Sequence, residues 1–251
     1  MPQISAVVLC LNAAGMLAKC LRSLDSIADE ILLADSGSTD ESLQIAAKAG
    51  ARIIHLPFVG FQQQREQAEA NCSFPWILMI DADECLSEEL RLSLLNWKNT
   101  APESVAYSFS RLNHFGKKPI RHGAWYPDIK PRLYLRGKAV WQGGKVHEYL
   151  KTTDGSFPDL LNGLLLHYPV KSAAEHFRKT ERYARLAAEQ KKHLAAWKLI
   201  FLILFSPVWK FIRFYLLKAG WRDGKEGWWI ARAAWKETYM KYLLALQSRW
   251  K

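Results

Sequence analysis

Short apolar runs alternate with helical patterns four times within the first 95 residues, and this alternation constrains the fold more than any other feature. Val, Ile and Leu dominate these runs, as they do in parallel strands buried on both faces. The runs are Ile4–Leu11, Glu30–Ala34, Ala51–Leu56 and Trp76–Ile80. Helical spacing appears between them at Ala13–Leu24 and Phe61–Asn71. The pattern predicts a doubly wound α/β sheet, in which ligands bind beyond the carboxyl ends of the strands.

A helix is also predicted after the second run. Ser38 and Glu41 have the S-x-x-E spacing of a capping box, in which the two side chains bond reciprocally to the first backbone N–H groups of a helix. We therefore expect a helix that continues through Ala49 and ends at Gly50.

The pattern changes after the fourth run. Residues Tyr107–Tyr149 are rich in Trp, Tyr, Gly and Pro, which predicts short strands and loops in an antiparallel extension that could hold an acceptor. Ser172–His193 has helical spacing with favourable i,i+4 charge pairs. Trp197–Leu217 is strongly apolar, but Ser206–Pro207 and two basic residues interrupt it, so we expect a kinked helix in a membrane interface. Trp228–Trp250 continues as an amphipathic helix.

The net charge of +11 lies entirely in the last third of the chain. Residues 1–169 contain 17 Lys and Arg against 18 Asp and Glu, whereas residues 170–251 contain 18 against 6. Seven of the 11 tryptophans lie in the basic part. Basic, aromatic and amphipathic segments are typical of proteins bound to anionic membrane surfaces. Nucleic acid is the rival partner, but the apolar run Leu199–Phe205 argues against it.

These patterns predict a catalytic domain over residues 1–169 and a membrane-surface region over 170–251. Within the first domain, the change of pattern divides residues 1–106 from residues 107–169. The four cysteines have no C-x-x-C spacing, which indicates free thiols in a reducing cytoplasm. The N-terminal residues lack the pattern of a signal peptide, so we do not expect secretion.

Two aspartates directly follow the fourth apolar run. Asp81 and Asp83 are two residues apart, so in extended backbone their carboxylates face the same way and can converge on one hard cation. Mg2+ or Mn2+ suits such oxygen ligands and would neutralise charge on a departing diphosphate. His147 and His167 are candidates for an additional metal ligand, and the alternative, which is the commoner role of a histidine, is a structural side chain with its hydrogen bonds satisfied.

A further aspartate ends the second run. Asp35 is followed by Ser36–Gly37–Ser38–Thr39–Asp40, where Gly37 permits a tight turn. The Asp35 carboxylate could accept a hydrogen bond from a base such as uracil. The alternative is a strand-to-helix turn whose acidic residues only cap the helix.

Taken together, these motifs resemble family 2 glycosyltransferases of GT-A fold. The resemblance covers about residues 4 to 90 and rests on four ordered motifs, which are Asn12, Ala34–Asp40, Gln64–Arg65 and Asp81–Glu84. Residues 121–149 resemble a subgroup that glucosylates heptose in the lipopolysaccharide inner core. The motifs that carry this second resemblance are Arg121–Asp128, Arg132–Leu133 and Val146–Glu148.

The resemblance implies that residues 1–106 form the nucleotide-sugar half of the catalytic domain and residues 107–169 its acceptor half. It also implies roles for individual residues. Asp35 would bind the uracil of a UDP-sugar, with Asn12 beside it. Asp81 would bind the ribose or the metal, and Asp83 the metal that bridges the diphosphate. Arg65 would approach the phosphates. The acceptor implied is a lipopolysaccharide-core or other lipid-linked glycan, reached at the inner face of the bacterial inner membrane.

Inverting transfer requires a base that takes the proton from the acceptor hydroxyl as it attacks the anomeric carbon. Glu148 is the first candidate, because the resemblance assigns the base to this position. Asp128 is the competing candidate, because it follows an aromatic segment suited to stacking on sugar rings.

Two other classes of function compete with a glycosyltransferase. One is a non-catalytic membrane or nucleic-acid binding module that uses the α/β half only as a scaffold. A binding module of this kind gives no role to the acidic residues Asp35, Asp81, Asp83 and Glu148. The other is a metal-dependent nucleotidyltransferase. This class is disfavoured because no glycine-rich, basic loop for a triphosphate follows the first strand.

Overall fold

The computed structural model describes residues 1–143 and 148–249, and of Glu148 only the backbone. The N-terminal part alternates strand and helix as predicted. Its elements are β1 (Ile4–Cys10), α1 (Ala14–Ser23), β2 (Glu30–Asp35), α2 (Ser42–Lys48), β3 (Arg52–His55), α3 (Phe61–Ala70) and β4 (Trp76–Asp81). These four strands are parallel in the order β3-β2-β1-β4. The predicted doubly wound half of the fold is therefore confirmed.

The capping-box prediction for α2 is wrong. The helix begins at Ser42, and Glu41 occupies the N-cap position without a side-chain cap hydrogen bond. Ser38 instead accepts a hydrogen bond from the backbone N–H of Asn12 at 2.9 Å. The Asp40 carboxylate accepts bonds from the backbone N–H groups of Ser42 and Ala14, at 3.0 Å each. Ser38 therefore contacts the turn after β1 and does not form the capping bond to the Glu41 N–H that its spacing predicted.

Antiparallel strands extend the sheet beyond β4. The elements are β5 (Glu84–Leu86), α4 (Glu88–Asn99), β6 (Ala106–Phe115), β7 (Lys118–Pro119), β8 (Ile129–Leu135), β9 (Ala139–Gly143), β10 (Glu148–Thr152) and β11 (Asp159–Val170). Within the described residues the sheet has nine strands, and its order continues from β4 as β8-β6-β11-β5, with β7 paired to β6. Strands β9 and β10 form a separate antiparallel pair. The predicted antiparallel extension is confirmed.

The described chain divides into two compact units. The first contains residues 1–111 and 128–167, and the second contains 112–127 and 168–249. In the first unit, successive residues of β1 belong to two different apolar clusters. Ile4, Ala6 and Val8 pack with α1 and α4, whereas Val7 and Leu9 pack with residues of α3 and β9. Alternation with period two shows that both faces of this strand are covered.

Helices dominate the second unit. They are α5 (Ala173–Glu189), α6 (Ala196–Phe211), a π-helical segment (Ile212–Leu217) and α7 (Gly224–Gln247). Ser172 is the N-cap of α5, and its side chain accepts a hydrogen bond from the Glu175 N–H at 3.2 Å. α6 continues through Pro207 rather than ending there. Residues Ala196–Leu217 form a helix long and apolar enough to cross a membrane, and 11% of an apolar 18-residue window within it is buried.

Gly163 in β11 provides a test of how closely strand and helix approach. Its φ is +102°, and an added Cβ would lie 2.3 Å from the backbone nitrogen of Leu90 in α4. We expect Gly163→Ala to reduce the free energy of unfolding by about 3 kcal/mol or more, since the helix backbone must move. Urea unfolding monitored by circular dichroism measures this.

Gly155→Ala is the matched control. Gly155 also has a positive φ of +77°, but an added Cβ meets nothing within 4 Å. It should cost only the conformational strain, about 1–2 kcal/mol. Equal losses in the two variants would contradict the close approach of β11 to α4.

Candidate active site

The turns that follow β1 and β2 are joined by side-chain hydrogen bonds. Asn12 has a positive φ of 51°, and its Oδ1 accepts the Thr39 backbone N–H at 2.8 Å. Ser38 Oγ accepts the Asn12 N–H in return. Because parallel strands end at the same edge of the sheet, two segments 27 residues apart in sequence form one surface here.

Asp35 lies beneath this surface and is buried. Its carboxylate accepts the backbone N–H of Gly37 at 2.9 Å and that of Ser38 at 3.0 Å. His55 Nδ1 lies 3.5 Å from Asp35 Oδ2. Burial raises the pKa of Asp35, but these hydrogen bonds outweigh it and lower the pKa below its ordinary value. The uracil-binding role remains a prediction, and the structure shows that this carboxylate also holds its own turn.

Residues of α3 connect the Asp35 turn to Asp81. Gln64 donates to Ser36 Oγ. The next residue, Arg65, is buried, and its guanidinium lies 4.6 Å from the ring centre of Trp141. Arg65 Nη2 donates to Asp81 Oδ1 at 3.1 Å. A cation held against an aromatic face and a carboxylate keeps a defined orientation.

Asp81 accepts from two arginines. Its second oxygen, Oδ2, accepts from Arg132 Nη2 at 2.9 Å. Burial raises the pKa of Asp81, but Arg132 and Arg65 together hold it well below its usual range. Asp81 is therefore ionised at neutral pH, and each of its oxygens already has a cationic partner. The metal role predicted for it competes with these ion pairs.

Glu84 binds the same arginine from a fully buried position. Its Oε1 accepts from Arg132 Nη2 at 2.6 Å and from Arg111 Nη1 at 3.0 Å. Its Oε2 accepts the backbone N–H of Asp81 at 3.1 Å. A carboxylate with no exposed surface is tolerated only when paired and hydrogen-bonded. Glu84 therefore fixes the backbone of the turn that carries Asp81 and Asp83.

Asp128, the competing candidate for the base, lies at the outer end of this network. Its Oδ2 accepts from Arg111 Nε at 2.8 Å and pairs with Nη2 at 2.7 Å. Its other oxygen lies 3.4 Å from Lys130 Nζ. To act as a base, this carboxylate would have to leave an ion pair in which two guanidinium nitrogens of Arg111 contact one of its oxygens. The arrangement therefore favours a structural role for Asp128 over proton transfer.

Asp83 and His167 meet on the other side of the turn. Antiparallel pairing of β5 with β11 places His167 opposite Glu84, one residue from Asp83. His167 Nε2 lies 3.5 Å from Asp83 Oδ2, and the Asp83 side chain is 39% exposed. Carboxylate oxygen and imidazole nitrogen are both ligands for divalent cations. The prediction that these two residues share a metal is thus geometrically consistent.

The part of the chain that the structure describes does not form a complete protein-derived metal site. In residues 1–143 and 148–249, no three His, Cys, Asp or Glu side chains come together as a ligand set. The Asp83–His167 pair fits a cation that takes its other ligands from substrate phosphates and water, as Mg2+ commonly does.

The remaining candidates lie at the edge of what the structure describes. The backbone of Glu148 begins β10 and pairs with Gly143, whereas its side chain is not described. His147 lies outside the described residues. Their predicted roles therefore stay predictions.

Sequence reasoning missed the arginines that organise the site. In the sequence, Arg132 stands out only as part of a motif, and no pattern distinguishes Arg111 or Trp141. One signal was available, since Arg132 directly precedes three residues typical of a buried strand, Leu133–Tyr134–Leu135. A charge at such a position must be paired if the strand is buried. The identity of its partners could not be obtained from the sequence.

A comparison with protein families places this geometry in a known group. The family model for glycosyl transferase family 2 matches residues 5–153, which include all the aspartates and arginines described above. The chain belongs to glycosyl transferase family 2. It is therefore a glycosyltransferase, and membership confirms the GT-A-type fold expected from the resemblance, together with the mixed sheet and the C-terminal helices.

Individual relatives cover most of this family 2 chain. The lipopolysaccharide core biosynthesis glycosyltransferase LpsC of Rhizobium meliloti is 32% identical over 234 residues, which are 89% of this chain and 84% of that protein. The uncharacterized glycosyltransferase RP128 of Rickettsia prowazekii is 26% identical over 250 residues, 90% of this chain and 81% of its own.

Similarity to solved structures is more limited. Glucosyl-3-phosphoglycerate synthase from Mycobacterium tuberculosis, crystallised with Mn2+, uridine diphosphate and glucosyl-3-phosphoglycerate, is 24% identical with a TM-score of 0.36. The match covers 45% of this chain and 44% of that one, so the family 2 chain spans less than half of the synthase.

The ion pairs of Arg132 can be tested by removing its charge. Arg132→Gln leaves Asp81 with Arg65 alone and buried Glu84 with Arg111 alone, so we expect the free energy of unfolding to fall by about 3 kcal/mol or more. Arg52→Gln removes a pair with Glu30 in which the arginine side chain is 45% exposed, and should cost about 1 kcal/mol or less. If denaturant titrations showed similar losses of unfolding free energy in the two variants, the Arg132 network would stabilise the fold no more than an exposed ion pair does.

Proposed function

We propose that this family 2 glycosyltransferase is an inverting, metal-dependent enzyme that moves glucose from UDP-glucose onto a lipopolysaccharide-core or other membrane-linked glycan. The observation that carries the proposal is the Asp83–His167 pair beside an arginine-paired Asp81, at the carboxyl edge of the sheet. The site of reaction would be the cytoplasmic face of the inner membrane.

The donor nucleotide would occupy the edge formed by β1, β2 and β4. Asp35 pairs in register with Cys10, and Asp81 with Leu9, so the two aspartates flank the end of β1 from opposite sides. Two strand spacings separate them, about 10 Å. This span suits a nucleoside, with the base near Asp35 and Asn12 and the ribose near Asp81.

Asp81 is better suited to ribose than to metal. A ribose hydroxyl can donate a further hydrogen bond to an oxygen that already accepts from an arginine. A divalent cation would instead be repelled by the guanidinium groups of Arg65 and Arg132, both in contact with this carboxylate. We therefore assign ribose contact to Asp81.

Asp83 and His167 would hold Mg2+ or Mn2+. When bound, the cation would neutralise the negative charge that develops on the UDP leaving group. Glu84 holds the turn through the Asp81 N–H, so the Asp83 side chain is presented from a fixed backbone. Arg65 and Arg132 add positive charge near the diphosphate while remaining paired to Asp81.

Glu148 remains the proposed base. The competing residue, Asp128, is held by Arg111 and Lys130, which supports assigning proton transfer elsewhere. Glu148 would take the proton from the acceptor hydroxyl as that oxygen attacks the anomeric carbon and UDP departs.

The acceptor and the membrane location rest on two lines of support. LpsC, which covers most of this chain, is named for lipopolysaccharide core biosynthesis. In the second unit, α6 leaves large apolar side chains exposed, including Trp197, Phe201, Leu204, Phe205 and Trp209. Exposed apolar residues beside an excess of basic residues favour the surface of an anionic membrane.

The metal assignment predicts how UDP binds. Asp83→Asn removes one negative ligand, so Mn2+ should no longer strengthen UDP binding, and the dissociation constant should rise about tenfold or more toward its metal-free value. Calorimetric titration of UDP with and without Mn2+ measures this without any turnover.

Glu88→Gln is the control for loss of one carboxylate. Glu88 lies in the first turn of α4 with an exposed side chain, in the same unit as Asp83. Its UDP affinity should respond to Mn2+ as the unaltered protein does. If Asp83→Asn kept the full response to Mn2+, the metal assignment would be wrong.

The assignment of the base predicts a different result. Glu148→Gln should bind UDP with unchanged affinity, while kcat falls by about 10²- to 10⁴-fold, because proton transfer is lost and donor binding is not. A panel of nucleotide sugars with truncated lipopolysaccharide acceptors supplies the assay and identifies the donor. Normal turnover in this variant would exclude Glu148 as the base.

A further inference from the structure

An open groove lies between α5 and α7 in the second unit, far along the chain from the candidate active-site residues. Its volume is about 530 Å3. Its lining combines aromatic, aliphatic and cationic side chains, which are Phe177, Arg232, Trp235, Lys236, Tyr239 and Met240. No role in sugar transfer has been assigned to any of them.

The α7 side of the groove is built by helical periodicity. Arg232, Trp235, Lys236 and Tyr239 stand at positions i, i+3, i+4 and i+7, so they share one face of the helix. The rings of Trp235 and Tyr239 are stacked, 5.4 Å apart and 5° from parallel. Trp235 is nonetheless 37% exposed, so a large amphipathic ring faces the groove and solvent.

Two cations stand over the opposite wall. Arg232 and Lys236 lie 6.0 Å and 5.7 Å from the ring centre of Phe177 on α5. Lys236 also pairs with Glu181 at 2.5 Å. Among the residues that the structure describes, no carboxylate forms a salt bridge with Arg232, which is exposed. The groove therefore offers positive charge that the protein itself does not neutralise.

This combination defines the chemistry of a partner. Cationic groups above apolar rings complement a molecule that carries an anion and a hydrocarbon part together. Nucleic acid supplies the anion, but the rings of Trp235 and Tyr239 stack on each other and are not presented singly to bases. A phospholipid headgroup with its attached chains matches both features. α6, which packs against α7, carries the exposed apolar residues already described.

We propose that the groove binds one anionic phospholipid of the membrane. Arg232 and Lys236 would contact the phosphate oxygens, while Phe177, Trp235 and Tyr239 would contact the glycerol and the upper part of the acyl chains. The inference rests on the membrane location proposed above. It goes further because it assigns a discrete site for one lipid, in addition to the general attraction of basic residues to an anionic membrane.

A pair of charge-matched variants separates these two kinds of binding. Arg182 lies on an exposed position of α5, outside the residues that line the groove. Diffuse attraction contributes about 1 kcal/mol per basic residue, which is about fivefold in affinity, so Arg182→Gln should weaken binding to phosphatidylglycerol vesicles by about that factor. Arg232→Gln should weaken it at least tenfold more than Arg182→Gln does.

A soluble lipid tests the site directly. Dihexanoyl phosphatidylglycerol, used below the concentration at which it forms micelles, should bind the full-length protein with saturation in calorimetry. Dihexanoyl phosphatidylcholine and inorganic phosphate should bind at least tenfold more weakly. Trp235→Ala and Arg232→Gln should each abolish saturable binding, while Arg182→Gln keeps it. Circular dichroism confirms that each variant is folded.

The outcomes distinguish the groove from the proposals on which it rests. Equal effects of Arg232→Gln and Arg182→Gln on vesicle binding would overturn the groove while leaving the membrane location intact. Inorganic phosphate binding as tightly as the lipid, or an oligonucleotide binding more tightly, would also overturn it. If the unaltered protein bound no vesicles, the membrane location would fail with the groove, whereas sugar transfer is tested separately by Asp83 and Glu148.

Discussion

The candidate active site depends on a buried ion-pair network centred on Arg132. Its guanidinium joins Asp81, at the end of a parallel strand, to fully buried Glu84 in the next strand. Burying Glu84 without a cation would cost several kcal/mol. Loss of the ion-pair network would therefore also destabilise the turn between Asp81 and Glu84. The same turn carries Asp83. The geometry of the proposed metal ligand is thus secured by residues that need not touch the metal.

The two kinds of strand in the sheet contribute different parts of the site. Parallel strands bring Asn12, Asp35 and Asp81 to one edge, because each strand ends there. Antiparallel strands supply partners from much later in the chain, with Arg132 coming from β8 and His167 from β11. The residues proposed to bind the donor therefore come from the first half of the sequence, whereas Arg132 and His167 come from the second half and meet them at the carboxyl edge of the sheet.

The second unit uses its residues differently. Two of its cations, Arg232 and Lys236, lie on one face of a helix near the ring of Phe177 and not in a buried ion pair. Partly exposed cations remain available to an external anion. In the first unit, by contrast, Arg65 and Arg132 are buried and already bound to Asp81. Burial decides which arginines can serve as binding groups and which serve as internal counter-ions.

The sequence alone determined the parallel half of the fold, the strand ends that carry Asp35 and Asp81, and the basic C-terminal helices, because periodicity and strand ends are local properties of the chain. It also offered His167, by residue type, as an additional metal ligand, whereas the contact of His167 with Asp83 came from the folded sheet. Only the tertiary structure decided that Ser38 binds Asn12 and does not cap α2, and that Asp81 and Asp128 are committed to arginines. These contacts join residues up to 51 positions apart, and no local pattern encodes which of several charges will meet in a folded sheet.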